Sequence, residues 1–555
     1  MRKKRILVHS EASYLNTGYA NYGKEVISRL LDTGKYEVAE FSNYGAADDP
    51  RRKTIPWKNY PVAPCKSDKE DLHQLYSSNS IHQFGAWRFE RACLDFKPDY
   101  FLSQMDPWME SWVKHSPFRK LFSWGWASTV DAMPQNPEWI QQFASTDYFY
   151  TLSDWAKDIV VSQGGKSINY MGSVSHCVPP LFKPTLNKLA HRISMGINPE
   201  WKIIGTVMRN QRRKLFPDLF EAFGKYLREY KDSNLYLYCH TSYPDNGWDI
   251  PQLMTRHGVA SRVLFTYACD NCHALTIGKF SDALKQCKNC KNFSAKLSNV
   301  SKGASTEELV KIYQLFDLYF QCANSEGMGM PALEAAACGI PVMSVDYSAM
   351  GDIVRKVSGY PVPVKALPME LETGCLRAIP DQDAVIRYWN DFFSASESIR
   401  QNISKRTVQS YHQNYSWNRV IDSWMKSIDH CPFANWDAPI RQINIPSEDK
   451  IPNFPNNKQL VDWAISTYLP YSDMFNSFEA NCLLRDLNFQ SYRPNPCGYF
   501  YSESSYFDRV NYVPFTKVDL INMVKGKADI FNFWEKARVG QITFQQENWI
   551  DLDNL

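Results

Sequence analysis

Two successive series of alternating strand-like and helix-like segments constrain the fold of this 555-residue chain most. The first series begins with the strand-like run 5–9, whose centre is apolar, then a polar loop and Gly18, followed by apolar residues at helical spacing. The second begins with the run 203–208, after the proline-rich stretch 178–184 that breaks regular structure. Alternating strands and helices are typical of a parallel sheet covered by helices. We therefore expect an α/β chain with two Rossmann-like domains that face a cleft.

The same patterns predict the remaining elements. In the first series we expect a helix capped by Ser153 and Asp154, and strands at 36–41, 99–103, 120–124 and 148–152. In the second series, Ser305 and Glu308 have the spacing of a capping box before a helix. Further helices are expected at 215–230 and 331–338, and further strands at 235–239, 263–267, 318–321 and 341–345.

These segments divide the chain into three parts. An N-terminal Rossmann-like domain is expected over 1–185 and a C-terminal one over 186–430. From residue 431 the sequence becomes rich in proline and asparagine, which predicts a linker and a C-terminal extension to residue 555. Within this extension, helices are expected at 460–468 and 518–525.

Charge and hydropathy restrict the partners. The chain has 62 basic and 59 acidic residues, so its net charge of +3 provides no overall field that would attract a nucleic acid or a membrane. The sequence has no run of 18 apolar residues, so no transmembrane helix is expected. The apolar run after the basic start is too short for a signal peptide. We therefore expect a cytoplasmic protein.

A run of cations follows the first strand of the second series. Arg209, Arg212, Arg213 and Lys214 lie between that strand and the next helix. Cations and a helix N-terminus at such a position stabilise the negative charge that develops on a departing diphosphate. A solvated basic turn would give the same local pattern.

A glycine-rich acidic segment follows about 115 residues later in the same domain. Gly327 and Gly329 allow backbone amides to approach a ligand closely, and Met328 and Met330 alternate with them. Two carboxylates, Glu326 and Glu334, are candidates to accept hydrogen bonds from a sugar and a ribose. Alternatively, Glu326 is a turn residue and Glu334 a surface charge, although Glu334 lies among alanines where an unpaired charge is costly.

Together these segments resemble the C-terminal half of GT-B glycosyltransferases of family 4, the large retaining group. The resemblance rests on two glutamates eight positions apart, on the following Gly339-Ile340-Pro341-Val342, and on Arg209 and Lys214. The resemblance covers about residues 5–430, and the overall style of the sequence is similar to that of phage-encoded members of the family. It implies that a nucleoside diphosphate sugar is the donor, that the anomeric configuration is retained and that no catalytic divalent metal is needed.

The resemblance also assigns residues. It implies that Glu326, Arg209 and Lys214 act at the reacting sugar and diphosphate, while Gly18, Glu334 and residues 327–330 bind the donor. The sequence departs from the family pattern in the first domain, where the usual histidine is missing and Asp131 is expected to take its place. After the strand 341–345, Ser348–Asp352 differ from the usual Gly-Gly-Xaa-Xaa-Glu.

Four cysteines form a separate motif in the second domain. Cys269, Cys272, Cys287 and Cys290 have the paired spacing of a zinc ribbon, which predicts an inserted ribbon at about 267–295 with a structural zinc ion. The stretch between the pairs is short and polar, so a metal could supply its folding energy. The alternative is four idle thiols.

Three hypotheses remain for the acceptor. The phage-like style favours a hydroxymethylated base in DNA, with the ribbon lysines on phosphates. The second hypothesis is a polysaccharide, lipopolysaccharide or protein glycan, and the third is a non-catalytic binding protein with the same fold. The joint presence of Arg209, Lys214, Glu326 and Glu334 argues against the third.

Overall fold

A computed structural model describes most of the chain. The described residues are 2–15, 17–299, 304–444, 447–455, 457–471, 473–475 and 517–544. Two β-sheets, together with the helices that connect their strands, account for the larger part of them. Among these residues no helix is both long and apolar enough to span a bilayer.

The first sheet has seven parallel strands in the order β3-β2-β1-β4-β5-β6-β7. The chain therefore extends the sheet from β1 in one direction and then returns to extend it in the other, as in doubly wound folds. The strands are β1 Lys4–Glu11, β2 Tyr36–Ala46, β3 Lys58–Ala63, β4 Tyr100–Gln104, β5 Ser123–Ser128, β6 Tyr148–Thr151 and β7 Tyr170–Ser173.

Helices connect these strands and cover the sheet. The first begins where Thr17 accepts a hydrogen bond from the amide of Ala20, which satisfies one free donor of the first turn. The helices are α1 Gly18–Asp32, α2 Glu70–Ser78, α3 Ser80–Gln83, α4 Phe89–Phe96, α5 Pro107–Glu110, α6 Pro137–Ala144 and α7 Trp155–Gly164.

The second sheet follows the same plan, with β8 and β14 as its central parallel pair. Its order is β12-β13-β10-β9-β8-β14-β15-β16, and β11 also pairs with β10. A two-stranded sheet of β17 and β18 lies apart from it. The strands are β8 Lys202–Val207, β9 Leu235–His240, β10 Val263–Cys269, β11 Leu275–Lys279, β12 Lys285–Gln286, β13 Phe293–Leu297, β14 Leu318–Gln321, β15 Val342–Val345, β16 Tyr360–Val362, β17 Val364–Ala366 and β18 Ile379–Pro380.

Eleven helices accompany the second sheet and the C-terminal extension in the described residues. The capping box at Ser305 and Glu308 is present in both directions. The helices are α8 Lys188–Ser194, α9 Phe216–Tyr230, α10 Ile250–His257, α11 Thr306–Tyr313, α12 Met330–Ala337, α13 Ser348–Lys356, α14 Gln382–Ser394, α15 Glu397–Asn414, α16 Trp417–His430, α17 Asn457–Tyr468 and α18 Lys517–Arg538.

Two local predictions are wrong. The strand expected at 120–124 begins at Ser123, because residues 116–121 form turns in which the Leu121 amide donates to Phe118 O. Asp154 stands at the N-cap of α7, but its carboxylate makes no capping bond. It accepts instead from Ser173 and from Lys356 of the second half.

The last helix of the second series returns to the first sheet. On α16, Trp424 is fully buried, packs on Tyr150 with ring centroids 4.4 Å apart and donates to the hydroxyl of Tyr22 at 3.1 Å. One turn later, Ser427 bonds the hydroxyl of Tyr100 at 2.7 Å. The core of the first half is thus completed by residues from the end of the second.

Replacing Trp424 with alanine tests this packing. Loss of a fully buried indole and its hydrogen bond should destabilise the protein by about 3–5 kcal/mol, seen as a lower midpoint of urea unfolding followed by circular dichroism. Lys426→Ala, on the exposed side of the same helix, is the control and should change stability by less than about 0.5 kcal/mol. Equal midpoints for the two variants would contradict the docking of α16.

Candidate active site

The candidate site lies where the strand order of the second sheet reverses. β8 and β14 are neighbours in this sheet, although β9, β10 and the cysteine-containing insertion separate them in the sequence. Loops that leave the carboxyl ends of such a strand pair diverge and open a crevice, where ligands bind in open α/β sheets. The two loops are joined by hydrogen bonds from the Leu215 amide to Cys322 O at 3.0 Å and from the Asn324 amide to Arg213 O at 2.9 Å.

Glu326 is a buried carboxylate at the centre of this crevice. It forms ion pairs with Lys214 and, at 2.6 Å, with Arg213 Nη1. Gln321 Nε2 donates to it at 3.0 Å, and its own amide donates to Ser348 Oγ at 2.9 Å. A buried carboxylate is stable only when it is paired and hydrogen-bonded in this way. Lys214, predicted to act on a diphosphate, thus contacts the acidic loop directly.

Lys214 is buried against this carboxylate and beside a second cation. Burial lowers the pKa of Lys214 well below its usual value, and the charge of Arg213 lowers it further. A cation that is already desolvated interacts more strongly with a second anion than one in water does. A diphosphate that enters the crevice therefore finds two cations that only Glu326 neutralises among the described ion pairs.

Arg209, the other predicted cation, does not contact Glu326. Its side chain is 45% exposed and forms a two-point ion pair with Asp245 on the neighbouring loop, at 2.8 and 3.1 Å. The hydrogen bond from Arg209 lowers the pKa of Asp245 to about 2. Arg213, one of the four cations after β8 but without a predicted role at the site, contacts Glu326 beside Lys214.

The two glycine loops meet across the crevice. A Cβ on Gly18 would lie 3.0 Å from the sulfur of Met330, and a Cβ on Gly327 would lie 2.6 Å from Cβ of Thr129. Gly329 has a φ of 70°, which favours glycine, and it precedes α12. Only small residues fit these positions, so the backbone amides at the start of α1 and α12 stay close to the crevice.

Glu334 lies on α12, and its side chain is buried. Its Oε2 accepts a hydrogen bond from the hydroxyl of Tyr313 at 2.6 Å. This bond explains how a carboxylate is tolerated among alanines. Burial raises the pKa of Glu334 to about 7. Its protonation therefore changes near neutral pH.

Asp131, predicted in place of the missing histidine, belongs to a cluster that joins the two halves. It accepts from Arg377 at 2.9 Å and from Ser325 Oγ at 3.1 Å. Arg377 also binds Glu370 at 2.7 Å and Ser325 Oγ at 2.6 Å. Arg377 thus fixes the residue before Glu326, and it could not be predicted because no sequence motif surrounds it.

The four cysteines come together as predicted. Their sulfur atoms all lie within 4.8 Å of one another, with Cys269 and Cys290 at 3.6 Å and Cys272 and Cys287 at 3.6 Å. A tetrahedral zinc ion at its usual bond length to sulfur holds two sulfurs about 3.8 Å apart. The quartet therefore fits a metal ion such as zinc.

The prediction that the insertion lacks a core is wrong in part. Its strands β11 and β13 pair antiparallel with β10 on either side and extend the second sheet. Ile277 and Ala295 are buried at this junction. A metal in the quartet would hold the two turns together at the far end of strands that the sheet already supports.

Comparison with known proteins gives one family match. Residues 282–404 match the family model of glycosyl transferases group 1. This stretch contains Glu326 and Glu334 but neither Arg209 nor Lys214. No curated protein sequence matches the chain.

Solved structures resemble the chain over about three quarters of its length. Sucrose-phosphate synthase from Thermosynechococcus elongatus is 14% identical with a TM-score of 0.56, covering 77% of this chain and 98% of that chain. Anabaena Alr3699/HepE in complex with UDP and glucose is 11% identical with a TM-score of 0.53, covering 77% and 99%. An E. coli structure described as trehalose-6-phosphate bound with UDP-2-fluoro glucose is 13% identical with a TM-score of 0.51, covering 78% and 100%. The predicted GT-B fold is confirmed.

Metal analysis tests the cysteine quartet. We expect one zinc ion per chain by mass spectrometry of the purified protein, and its loss in Cys272→Ser and Cys287→Ser, because three thiolates no longer close the tetrahedron. Cys93→Ala is the matched control, since Cys93 is buried in the first half, far along the chain from the quartet, and it should keep the metal. Protein without metal, or equal metal in all variants, would contradict the site.

Proposed function

We propose that this chain transfers a glycosyl group from a nucleoside diphosphate sugar to an acceptor hydroxyl. The observation that carries the proposal is the pair of cations, Lys214 and Arg213, held on the buried Glu326 where the sheet order reverses. Anabaena HepE, which has the same fold, was solved with UDP and with glucose. A sugar nucleotide of this class is the donor that we infer.

The chemistry follows from the charges of the crevice. When the bond between sugar and diphosphate breaks, the leaving group gains about one negative charge. Lys214, Arg213 and the N-terminus of α12 would lie where that charge develops. Fixed cations that interact more strongly with the leaving group than with the intact donor lower the barrier. They would perform this role without a catalytic divalent metal.

Glu326 would then exchange partners. In the structure it neutralises both cations, whereas a bound diphosphate would replace it there and leave its oxygens for the hydroxyls of the transferred sugar. The contact of Ser325 with Arg377 holds the loop in place during this exchange. Retention of the anomeric configuration is part of the proposal and rests on the resemblance to the retaining family.

Glu334 and Arg209 have separate roles in the proposal. Glu334 would accept hydrogen bonds from the ribose with the oxygen that Tyr313 leaves free. Arg209 would have to leave Asp245 to reach a phosphate, so we infer that it contributes less than Arg213. The sequence-based acceptor, a hydroxymethylated base in DNA, remains a prediction.

A donor screen tests the proposed function directly. The full chain is titrated with UDP, GDP and ADP by calorimetry and then incubated with the corresponding glucose donors, and the release of nucleoside diphosphate is measured. Saturable binding of one nucleotide and release from its sugar support the proposal. A folded protein that binds none of them and releases none would contradict it.

Substitution of the charged contacts gives the second test. Lys214→Ala and Glu326→Ala should each lower turnover at least about 10²-fold, as removal of one charge contact to a transition state does. Arg213→Ala should lower turnover more than Arg209→Ala, because only Arg213 contacts Glu326. Circular dichroism is the control for folding. Near-normal turnover of both Lys214→Ala and Glu326→Ala would place the site elsewhere.

The pH dependence of nucleotide binding tests Glu334. With a pKa of about 7, its carboxylate fraction falls from roughly nine-tenths at pH 8 to roughly one-tenth at pH 6. Since the carboxylate is the stronger acceptor for ribose hydroxyls, nucleotide affinity should fall as the pH decreases through 7. Glu334→Gln should bind more weakly at pH 8 and flatten this profile. An unchanged profile in the variant would exclude Glu334 from the binding site.

A further inference from the structure

The short helix α8 turns its charged side inward and its apolar side outward. Lys188 and Arg192 are four residues apart, and both pair with Asp317, at 2.8 and 2.7 Å. Arg192 also donates to Leu315 O at 2.6 Å, and its side chain is buried. A surface helix normally packs its apolar side against the core and exposes its charges. In α8 this arrangement is reversed.

Three aliphatic side chains therefore project from the outer side of α8. Leu186, Leu189 and Ile193 are 105%, 56% and 63% exposed. Leu186 stands just before the N-cap residue Asn187, and Leu189 and Ile193 are one helical turn apart. We call these three side chains the apolar stripe. Neighbouring exposed apolar side chains mark a surface that meets a protein or a membrane.

The bonds that hold α8 keep the apolar stripe outside. The Asn187 side chain caps the helix and accepts from the Ala190 amide at 2.9 Å. His191 Nε2 donates to Lys311 O at 2.8 Å, which fixes α8 on α11. A rotation that buried the stripe would break both ion pairs to Asp317, and breaking a buried ion pair leaves an uncompensated charge.

Four exposed lysines surround the apolar stripe. Lys183 lies four residues before the N-cap of α8, and Lys311 lies on α11 at the bond just described. At the other end of α8, Lys288 Nζ reaches Gly196 O at 3.5 Å, and Lys291 Nζ donates to Lys288 O at 2.7 Å. The cations therefore border the stripe on several sides.

This border has a positive charge that the described residues do not neutralise. None of its four lysines forms an ion pair within the part of the chain that the structure describes. Asp317 is the one carboxylate that pairs with α8 in the same residues, and it is shared by Lys188 and Arg192. Charge complementarity therefore favours an anionic partner for this surface.

We propose that α8 and its four surrounding lysines dock this chain onto an anionic lipid surface. The side chains of the apolar stripe would enter the boundary between the headgroups and the acyl chains, while the lysines would lie level with the lipid phosphates. Such binding adds the burial of apolar area to the attraction of anionic lipids. It is peripheral and reversible, and it is independent of the proposed glycosyl transfer.

The cysteine-containing insertion acquires a role in this docking. Lys288 follows Cys287 and Lys291 follows Cys290, so the turns that carry the second pair of cysteines also carry two of the four lysines. The contact of Lys288 with Gly196 brings these turns to the end of α8. The insertion therefore supplies half of the basic border.

Two other classes of partner fit this surface less well. A nucleic acid would pair its phosphates with the lysines but leave the apolar stripe in water. A protein partner would need about 1,000 Å² of complementary surface for a stable complex, and three aliphatic side chains are a small part of that area. A lipid surface adapts its shape to a protruding side chain such as Leu186.

Sedimentation with vesicles tests the proposal on the full chain. The protein is mixed with large vesicles of phosphatidylcholine alone or of phosphatidylcholine with phosphatidylglycerol, at low and at high salt, and the bound fraction is measured after centrifugation. We expect binding to the vesicles that contain phosphatidylglycerol, and weaker binding as salt is added, because salt screens the lysines. Absence of binding to both kinds of vesicle, or equal binding to both, overturns the proposal.

Variants of the apolar stripe give the second measurement. Leu186→Gln combined with Leu189→Gln should lower the partition coefficient on phosphatidylglycerol vesicles at least about tenfold. Both side chains are exposed, so the fold should persist, and circular dichroism checks this. Val161→Gln, an exposed aliphatic position on α7 of the first half, is the matched control and should bind as the unmodified chain does. Unchanged partition of the double variant overturns the proposal.

Variants of the basic border complete the test. Lys288→Gln combined with Lys311→Gln should also lower partition on phosphatidylglycerol vesicles at least about tenfold, whereas Lys157→Gln, an exposed lysine on α7, should not. Vesicle binding that is lost in the lysine variant but kept in full by the leucine variant would show a general polyanion site and overturn lipid docking. A lower mass of the leucine variant in analytical ultracentrifugation would show that a second copy of the chain covers the stripe, which also overturns it.

Discussion

The ion pairs of Glu326 hold the candidate active site together. They join the loop after β8, which supplies Lys214 and Arg213, to the loop after β14, which supplies the carboxylate. Removal of one partner from a buried ion pair leaves an uncompensated charge and costs about 3–5 kcal/mol. The free energy that stabilises the crevice is therefore the same electrostatic energy that a bound diphosphate would use, and a ligand replaces an internal anion instead of filling an empty cationic site.

The central strands of both sheets could be predicted from the sequence because short apolar runs mark them locally, whereas edge strands such as β3, β7 and β16 were not predicted. The strand at 318–321 and the capping box at Ser305 match the structure, since short apolar runs and caps depend on neighbouring residues. The cysteine quartet was equally predictable, because its spacing encodes its geometry. The start of β5 was misplaced because the apolar residues before Ser123 form buried turns and carry no periodicity that separates them from a strand.

Side-chain partners at the site were less predictable than the elements that carry them. A motif placed Lys214 and Glu326 in one crevice, but only the structure distinguishes Arg213 from Arg209, four residues earlier. Arg377 contacts Asp131, which is far from it in the sequence, and no repeated pattern surrounds it. Such contacts depend on where two loops end in space, which a single sequence does not encode locally.

The return of α16 to the first sheet has a consequence for biosynthesis. The ammonium group of Lys4 donates to the carbonyl of Ile428, 424 residues later. Tyr22 and Tyr150 likewise find their partner only in Trp424. Chains emerge from the ribosome N-terminus first, so the first half leaves it with an aromatic face that nothing yet covers. Until α16 is made, protection of this aromatic face depends on the speed of translation or on a chaperone that binds it.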